Sequence, residues 1–171
     1  MDESGMHTSM TRLRSRAPRG ERAYGKVLRN RGKNLTLIAS MSLSGMGETM
    51  CVEGATDAQA FEVYVERFLA PTLEEGQVVV FDNLGAHKPQ KKVRELIEAR
   101  GAEALFLPSY SPDLNPIEQA FSKIKNILRK LAARTHEALT EAMADALSAI
   151  TPGDVAGWFN HCGYEVEVQY L

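Results

Sequence analysis

A short, unbroken run of apolar residues, Val78–Phe81, is followed directly by the carboxylate of Asp82. Together with Gln77 this run predicts a strand over Gln77–Phe81, because short runs bounded by turn residues are typical of strands buried on both faces. A second buried strand is predicted at Ala104–Leu107, after an interval long enough for one helix. A strand, a crossover helix and a strand predict a parallel pair with both carboxyl ends at one edge of a sheet. Ligands of such sheets gather at that edge, so Asp82 marks a candidate site.

The rest of the chain predicts a hairpin before this unit and helices after it. The hairpin strands are residues 34–44 and 48–53, with glycines between them. The predicted helices are one capped by Asp57, one from Pro89 to Arg100, one from Pro116, one through Leu139 and Ile150, and one from Thr151 that buries Trp158 and Phe159. The helix from Pro116 is expected to turn these side chains inward: Ala120, Phe121, Ile124, Ile127, Leu128 and Leu131. Together the elements predict a mixed α/β domain.

Composition agrees with a single globular domain. The chain has 171 residues, of which 44% are apolar and 25% charged. Its apolar runs are too short to span a bilayer, and its start, Met-Asp-Glu, is unlike a secretory signal. Its two cysteines fit a reducing compartment and are too few for a four-cysteine zinc site. These features predict a cytoplasmic protein that makes no contact with a membrane.

Charge is distributed very unevenly along the chain. Between Thr11 and Asn34 nine basic residues are opposed only by Glu21, so this basic segment carries +8 in a protein whose net charge is -2. Its members are Arg12, Arg14, Arg16, Arg19, Arg22, Lys26, Arg29, Arg31 and Lys33. Such a segment attracts polyanions, because each phosphate that it neutralises releases counterions. A solvated arm without a ligand is the alternative that charge alone leaves open.

A second basic cluster favours the nucleic-acid interpretation. No acidic residue occurs between Gln119 and His136, where the basic residues are Lys123, Lys125, Arg129, Lys130 and Arg134. Two basic clusters in an otherwise acidic protein indicate a DNA or RNA backbone as the partner.

A pair of carboxylates suggests metal chemistry. Asp82 ends its strand, and Glu118 lies in the first turn of the helix that follows the next strand. Neighbouring strands are about 5 Å apart, so both side chains can reach one cleft and bind a hard cation such as Mg²⁺. A third carboxylate would permit a two-metal site for phosphodiester attack. Alternatively, Asn115-Pro116-Ile117-Glu118 is a helix start with Asn115 as its cap, and Asp82-Asn83 is an ordinary turn.

Three longer strings carry a family resemblance. FDNLGAHK (residues 81–88), LPSYSPDLNPIEQAFSKIKNILR (residues 107–129) and the opening DESG resemble the catalytic domain of mariner-superfamily insertion-sequence transposases. The bacterial group known as the IS-six-thirty family is the most similar. RAPRGERAYG, NLTLIASMSLSG and GWFNHCGY resemble the same group, so the likeness covers nearly the whole chain.

The resemblance implies a ribonuclease H-like mixed sheet flanked by helices, and residues 1–171 as one DDE catalytic domain. By resemblance the catalytic and metal-binding triad is Asp2, Asp82 and Glu118, with two Mg²⁺ or Mn²⁺ ions. Asn83, His87 and Asn115 would border the site, while Glu3 and Asp113 would be structural or solvated. The family cuts the ends of transposon DNA and joins the freed 3′-hydroxyl to target DNA, usually at TA. The basic residues, including Lys123, Lys125, Arg129 and Lys130, would hold the double-stranded DNA, and the protein would associate with the nucleoid.

The sequence departs from the family in two respects. Nothing in it resembles the N-terminal helix-turn-helix region of these transposases. Only Met1 precedes Asp2, so the first strand is predicted to be truncated and Asp2 poorly preorganised for metal. We therefore expect a downstream half that needs an upstream partner or a second protomer. A non-catalytic DNA-binding remnant and a ribonuclease H-like nuclease are the other open interpretations.

Overall fold

The computed structural model describes residues 1–27, 29–30, 32–82 and 90–166. Its first sheet is antiparallel, with the strand order β1-β2-β3: β1 is Asp2–Met6, β2 is Leu35–Ser42 and β3 is Gly45–Glu53. Asp2 lies opposite Ala39, and Leu35 lies opposite Glu53. Between Ala39 and Met41 the pairing of β2 with β3 shifts its register. The predicted hairpin is confirmed, and β1 pairs with its first strand.

The second sheet contains two parallel strands, β4 (Val78–Phe81) and β5 (Glu103–Phe106), in which Val78 pairs with Glu103. Helix α2 (Gln90–Glu98) connects them. The predicted parallel unit is confirmed, but burial on both faces is wrong. Val78 is 52% exposed and Leu105 is 47% exposed, because this short sheet has helices packed mainly against one of its faces. Pro89, the predicted start of α2, lies outside the described residues.

Four further helices complete the fold. Helix α1 (Ala58–Tyr64) begins at Asp57, whose side chain accepts from the N–H of Ala60 and thus caps the helix as predicted. It continues into a π-helical turn over Val65–Leu69 and a 3-10 turn over Ala70–Thr72. The other helices are α3 (Ile117–Leu131), α4 (His136–Ser148) and α5 (Pro152–His161).

Two apolar cores contain side chains from the β1–β2 pair. Met6, Leu37 and Ala39 belong to the core that α3, α4 and α5 complete. Met1 and Ile38 belong to the other core, which α1, α2, β4 and β5 complete. Alternate residues of a strand point to opposite faces, so the β1–β2 pair lies between two layers of helices. The mixed α/β architecture flanked by helices is confirmed.

Two details of the predicted core differ. Leu131, expected to point inward, is 51% exposed because it is the last residue of α3 and the chain turns away at Ala132 in the left-handed conformation. Trp158 and Phe159 are only half-buried at the margin of the first core, whereas Val155 is the fully buried residue of α5. In the described part of the chain, no helix is long and apolar enough to cross a membrane.

Candidate active site

Asp2 is a buried carboxylate whose two oxygens both accept hydrogen bonds. The side chain of Asn115 donates to its Oδ2 over 3.0 Å, and the N–H of Glu3 donates to its Oδ1 over 2.8 Å. The residue is 2% exposed, and Asn115 is 6% exposed. Asn115 and the β1–β2 ladder thus fix the orientation of Asp2, while its poor preorganisation for metal stays a prediction.

The strand that ends before Asp82 lies beside the start of β1. The amine of Met1 donates to the carbonyl of Val80 over 2.7 Å, so β1 begins beside β4. Asp82 follows two residues later, about 7 Å further along an extended chain. Its side chain is half-buried. Asn83 and His87, the predicted bordering residues, lie outside the described residues.

Glu118 reaches the same region through Asn115. Its N–H donates to the carbonyl of Asn115 over 3.2 Å, and its side chain is exposed in the first turn of α3. The loop before it is held by a short 3-10 turn over Pro112–Leu114 and by Tyr164, whose hydroxyl donates to the carbonyl of Leu114 over 2.8 Å. This loop thus leads into α3 beside Asn115, which bonds Asp2.

The alternative interpretation of Asn115 as a helix cap is wrong. Pro116 occupies the N-cap position of α3, and no side chain caps the helix there. The Asn115 side chain bonds Asp2 instead, which lies 113 residues away in sequence. Because Asn115 stands in an Asn-Pro-Ile-Glu string that is typical of a helix start, the local sequence did not predict its hydrogen bond to Asp2. Only the family resemblance placed Asn115 near the site.

The donor set at this edge suits a hard cation. Carboxylate and amide oxygens from Asp2, Asp82, Glu118 and Asn115 are the ligand types of Mg²⁺ and Mn²⁺ rather than of softer metals. However, within the described ranges no three side chains of His, Cys, Asp or Glu are grouped closely enough to hold a metal ion. The residue types at this edge therefore suit the two ions. The described carboxylates, however, do not form a compact cluster that would bind them as they stand.

Glu3 and Asp113 lie apart from the Asp2 carboxylate. Alternation along β1 turns Glu3 to the face opposite Asp2, where its Oε2 is buried and has no hydrogen-bond partner among the described residues. Asp113 is exposed in the 3-10 turn before α3.

The basic segment is exposed from Arg12 onward wherever it is described. Residues 12–27, 29–30 and 32–34 are all exposed, and none of them lies in a helix or strand. Arg31 lies outside the described residues. Lys33 pairs with Glu53 over 3.1 Å at the surface. Arg134 belongs to the second basic cluster of the sequence. Its Nη1 donates hydrogen bonds to the carbonyls of Thr8 and Met10, which directly precede the basic segment, over 2.9 and 3.1 Å.

The second basic cluster is partly engaged inside the protein. Lys123 donates to Asp154 over 2.6 Å. This bond, together with bonds from Thr151, lowers the pKa of Asp154 to about 2. Arg129 donates to Asn126 on the surface of α3, Lys125 is half-buried and Lys130 is exposed. Lys123 thus has an internal partner, and Lys130 is the most accessible of the four predicted contacts.

The chain was compared with known families and structures. A family model described as DDE superfamily endonuclease matches residues 1–140. A search of curated proteins found no significant match. The Mos1 mariner paired-end complex with Mn has a TM-score of 0.69 at 18% identity, covering 95% of this chain and 53% of that one. The Mos1 strand transfer complex has a TM-score of 0.67 at 21% identity, covering 95% of this chain and 49% of that one.

These likenesses confirm the predicted fold and family. At this level of identity the Mos1 structures establish a shared fold, and the chain spans about half the length of the Mos1 chains that it matches. The family model covers most of the sequence, including both strings in which Asp82 and Glu118 lie. This chain therefore belongs to the DDE superfamily endonuclease family.

Proposed function

We propose that this chain is the catalytic domain of a DDE transposase of an insertion sequence, cutting transposon-end DNA and transferring the freed strand to a target. The observation that carries the proposal is the buried Asp2 carboxylate, which Asn115 orients beside the start of α3 and next to β4. A buried acid with both oxygens held is unusual unless its orientation matters, because burying a carboxylate is costly. Family membership supports the same conclusion.

In this proposal Asp2, Asp82 and Glu118 form the catalytic triad. Two Mg²⁺ or Mn²⁺ ions, when bound, would activate the attacking oxygen and stabilise the leaving oxygen of an in-line displacement. Asn115 keeps the Asp2 oxygens turned toward the helix start. Asp82 contributes from the end of β4, and the exposed side chain of Glu118 must move toward the other two acids. Mos1 complexes with Mn and with Mg support divalent metals here.

DNA would be held by the basic segment. It contains nine of the twenty lysine and arginine residues of the protein, and contacts of this kind position a DNA backbone without reading its sequence. The Mos1 paired-end complexes support transposon ends as the substrate and a second protomer as the partner. TA target sites and association with the nucleoid belong to the same proposal.

The test is nicking of a supercoiled plasmid in Mg²⁺ or Mn²⁺, together with joining of a labelled 3′-hydroxyl oligonucleotide to that plasmid. We expect Asp82→Ala and Glu118→Ala to abolish both reactions while leaving DNA binding intact. Asp113→Asn is the matched control, since this exposed carboxylate precedes α3 and lies outside the proposed triad.

Two outcomes would contradict the proposal in different ways. DNA binding without any nicking in either metal would favour a non-catalytic DNA-binding remnant. Nicking that requires Asp82 and Glu118 but never joins the oligonucleotide to the plasmid would favour a ribonuclease H-like nuclease.

A further inference from the structure

The chain that follows α5 contacts the loop immediately before Asn115. The hydroxyl of Tyr164 donates to the carbonyl of Leu114 over 2.8 Å. This carbonyl belongs to the peptide group that also contains the N–H of Asn115, which donates to the carbonyl of Pro112 over 3.1 Å. The Leu114–Asn115 peptide group is therefore hydrogen-bonded at both ends. Because a peptide group is planar and turns as one unit, these two bonds fix its orientation.

The position of Tyr164 follows from the way in which α5 ends. Gly163 has a φ of 85°, the left-handed conformation in which glycine commonly terminates a helix. The N–H of Tyr164 donates to the carbonyl of Phe159 over 3.0 Å, and the N–H of Gly163 donates to that of Asn160 over 3.1 Å. This pair of bonds is a Schellman motif, in which the rings of Phe159 and Tyr164 pack edge to face with centroids 5.7 Å apart. The motif holds the Tyr164 ring against α5 and thereby limits where its hydroxyl can reach.

A second contact from the end of α5 lies just beyond Glu118. Gln119 directly follows Glu118, and its Nε2 donates to the Sγ of Cys162 over 3.7 Å. Cys162 is buried at the end of α5, two residues before Tyr164. The end of α5 thus contacts the chain on both sides of residues 115–118. Because sulfur is a weak acceptor, the hydrogen bond from the Tyr164 hydroxyl is the stronger of the two contacts.

We propose that Tyr164 is a positioning residue of the active site, whose hydroxyl holds the Leu114–Asn115 peptide group so that the Asn115 side chain meets Asp2. The inference rests on the proposed function, in which Asn115 orients the Asp2 carboxylate for metal. Asn115 donates to Asp2 over 3.0 Å, a geometry that rotation of its own backbone would break. Helix α3 has no side-chain cap at Pro116, so the orientation of its first turn depends on the loop that Tyr164 holds.

The first test needs no catalysis, because its probe is the side-chain amide of Asn115, followed by nuclear magnetic resonance of the full chain in EDTA. Tyr164→Phe removes the hydroxyl alone and keeps the ring that packs on Phe159. We expect the Asn115 side-chain amide protons to exchange with deuterium about five- to tenfold faster, the factor that corresponds to one net hydrogen bond. The matched control is Tyr64→Phe, since the Tyr64 hydroxyl donates to the carbonyl of Glu48 over 2.7 Å and its ring lies in the other core. This control should leave the exchange at Asn115 unchanged.

The second test uses the plasmid-nicking reaction with the same two variants. Tyr164→Phe should lower kcat about five- to tenfold and leave KM for the plasmid unchanged, because the orientation of Asp2 acts on the chemical step. Tyr64→Phe should keep the kcat of the unmodified protein. Unchanged exchange at Asn115 or an unchanged kcat in Tyr164→Phe overturns the proposal, and so does an equal loss of kcat in Tyr64→Phe, which would be a general effect of stability. If the unmodified protein does not nick DNA, the proposed function fails, and amide exchange alone decides whether Tyr164 positions Asn115.

Discussion

At the scale of single residues, the arrangement around Asp2 depends on one amide. Asn115 donates to a carboxylate that is almost completely buried, and its own side chain is buried with it. If Asn115 is removed, the Asp2 oxygen loses a partner that water cannot easily replace. A hydrogen bond to a charged group is worth about 1.5–3 kcal/mol, more than an exposed bond of the same length.

Asn115→Ala should therefore lower the free energy of unfolding by about 1.5–3 kcal/mol. The matched control is Asn126→Ala on α3, where the exposed amide accepts from Arg129 at the same 3.0 Å distance and should matter by less than about 0.5 kcal/mol. Urea unfolding at neutral pH measures both. In an Asp2→Asn background the cost of Asn115→Ala should shrink. If Asn115→Ala lowered the free energy of unfolding equally in both backgrounds, Asn115 would stabilise the protein independently of Asp2.

Asp154 predicts a pH effect whose sign follows from its pKa. Lys123 and Thr151 lower the pKa from the ordinary value of 3.8 to about 2, so the folded protein binds that proton less tightly than the unfolded chain. The stabilisation is therefore present above about pH 4 and is lost as the pH falls toward 2. Because the pair is partly exposed, its size should be below about 1 kcal/mol.

Asp154→Asn tests this effect, since the amide can still accept from Thr151 at the start of α5 and only the charge is removed. The difference in unfolding free energy between the two proteins should be constant from pH 5 to pH 7 and should shrink as the pH falls from about 4 through 2. Urea titrations at several pH values measure it. A difference that grows as the pH falls would contradict the assignment to Asp154.

At the scale of elements, α3 shows what the sequence could and could not determine. The period of its apolar residues predicted the buried stripe correctly at Ala120, Phe121, Ile124 and Leu128. Leu131 fits the same period but is exposed, because the helix ends there and periodicity carries no information about termination. The structural role of Asn115 depends on a contact across 113 residues, which no local pattern contains.

The same limit explains the differences in the strands. Apolar runs located β4 and β5 to within a residue, since four consecutive apolar or β-forming residues between turns favour a strand. They overestimated burial, because burial depends on which elements cover each face, as the exposed Val78 and Leu105 show. The end of the apolar run identified the edge at which Asp82 lies, while the adjacency of β4 to the start of β1 required the contact between Met1 and Val80.

Ile124→Ala and Leu131→Ala compare two positions of α3 that share one apolar period in the sequence but differ in burial in the structure. Ile124 is fully buried, so its truncation should cost about 2–5 kcal/mol through lost burial and the resulting cavity. Leu131 is half-exposed at the end of α3, and its truncation should cost less than about 1 kcal/mol. Chemical denaturation of the two variants measures this contrast. Similar costs would place Leu131 in the core, against the structure.

At the scale of the whole molecule, the separation of charge is the main feature relevant to a partner. The basic segment concentrates +8 in residues 11–34, and its described basic residues are all exposed, while the rest of the chain carries the acidic excess. Among the described basic side chains of the segment, only Lys33 forms an ion pair, which it makes with Glu53 at the surface. In the second basic cluster Lys123 forms an ion pair with Asp154. We therefore expect Lys123 to contribute less to DNA binding than the exposed basic residues of the segment do.

Replacing Arg14 and Arg19 by glutamine should weaken DNA binding and reduce its dependence on salt. Each lost phosphate contact lowers the slope of log affinity against log salt by about 0.9, so the double variant should lower it by up to about 1.8. Arg67→Gln with Lys91→Gln is the matched control, because it removes the same charge from exposed positions outside the segment. Fluorescence anisotropy with a 30-base-pair duplex between 50 and 200 mM salt measures both variants. If both double variants lowered the slope equally, DNA affinity would depend on the net charge of the protein and not on contacts made by the basic segment. The segment would then be a solvated arm, which its composition also allows.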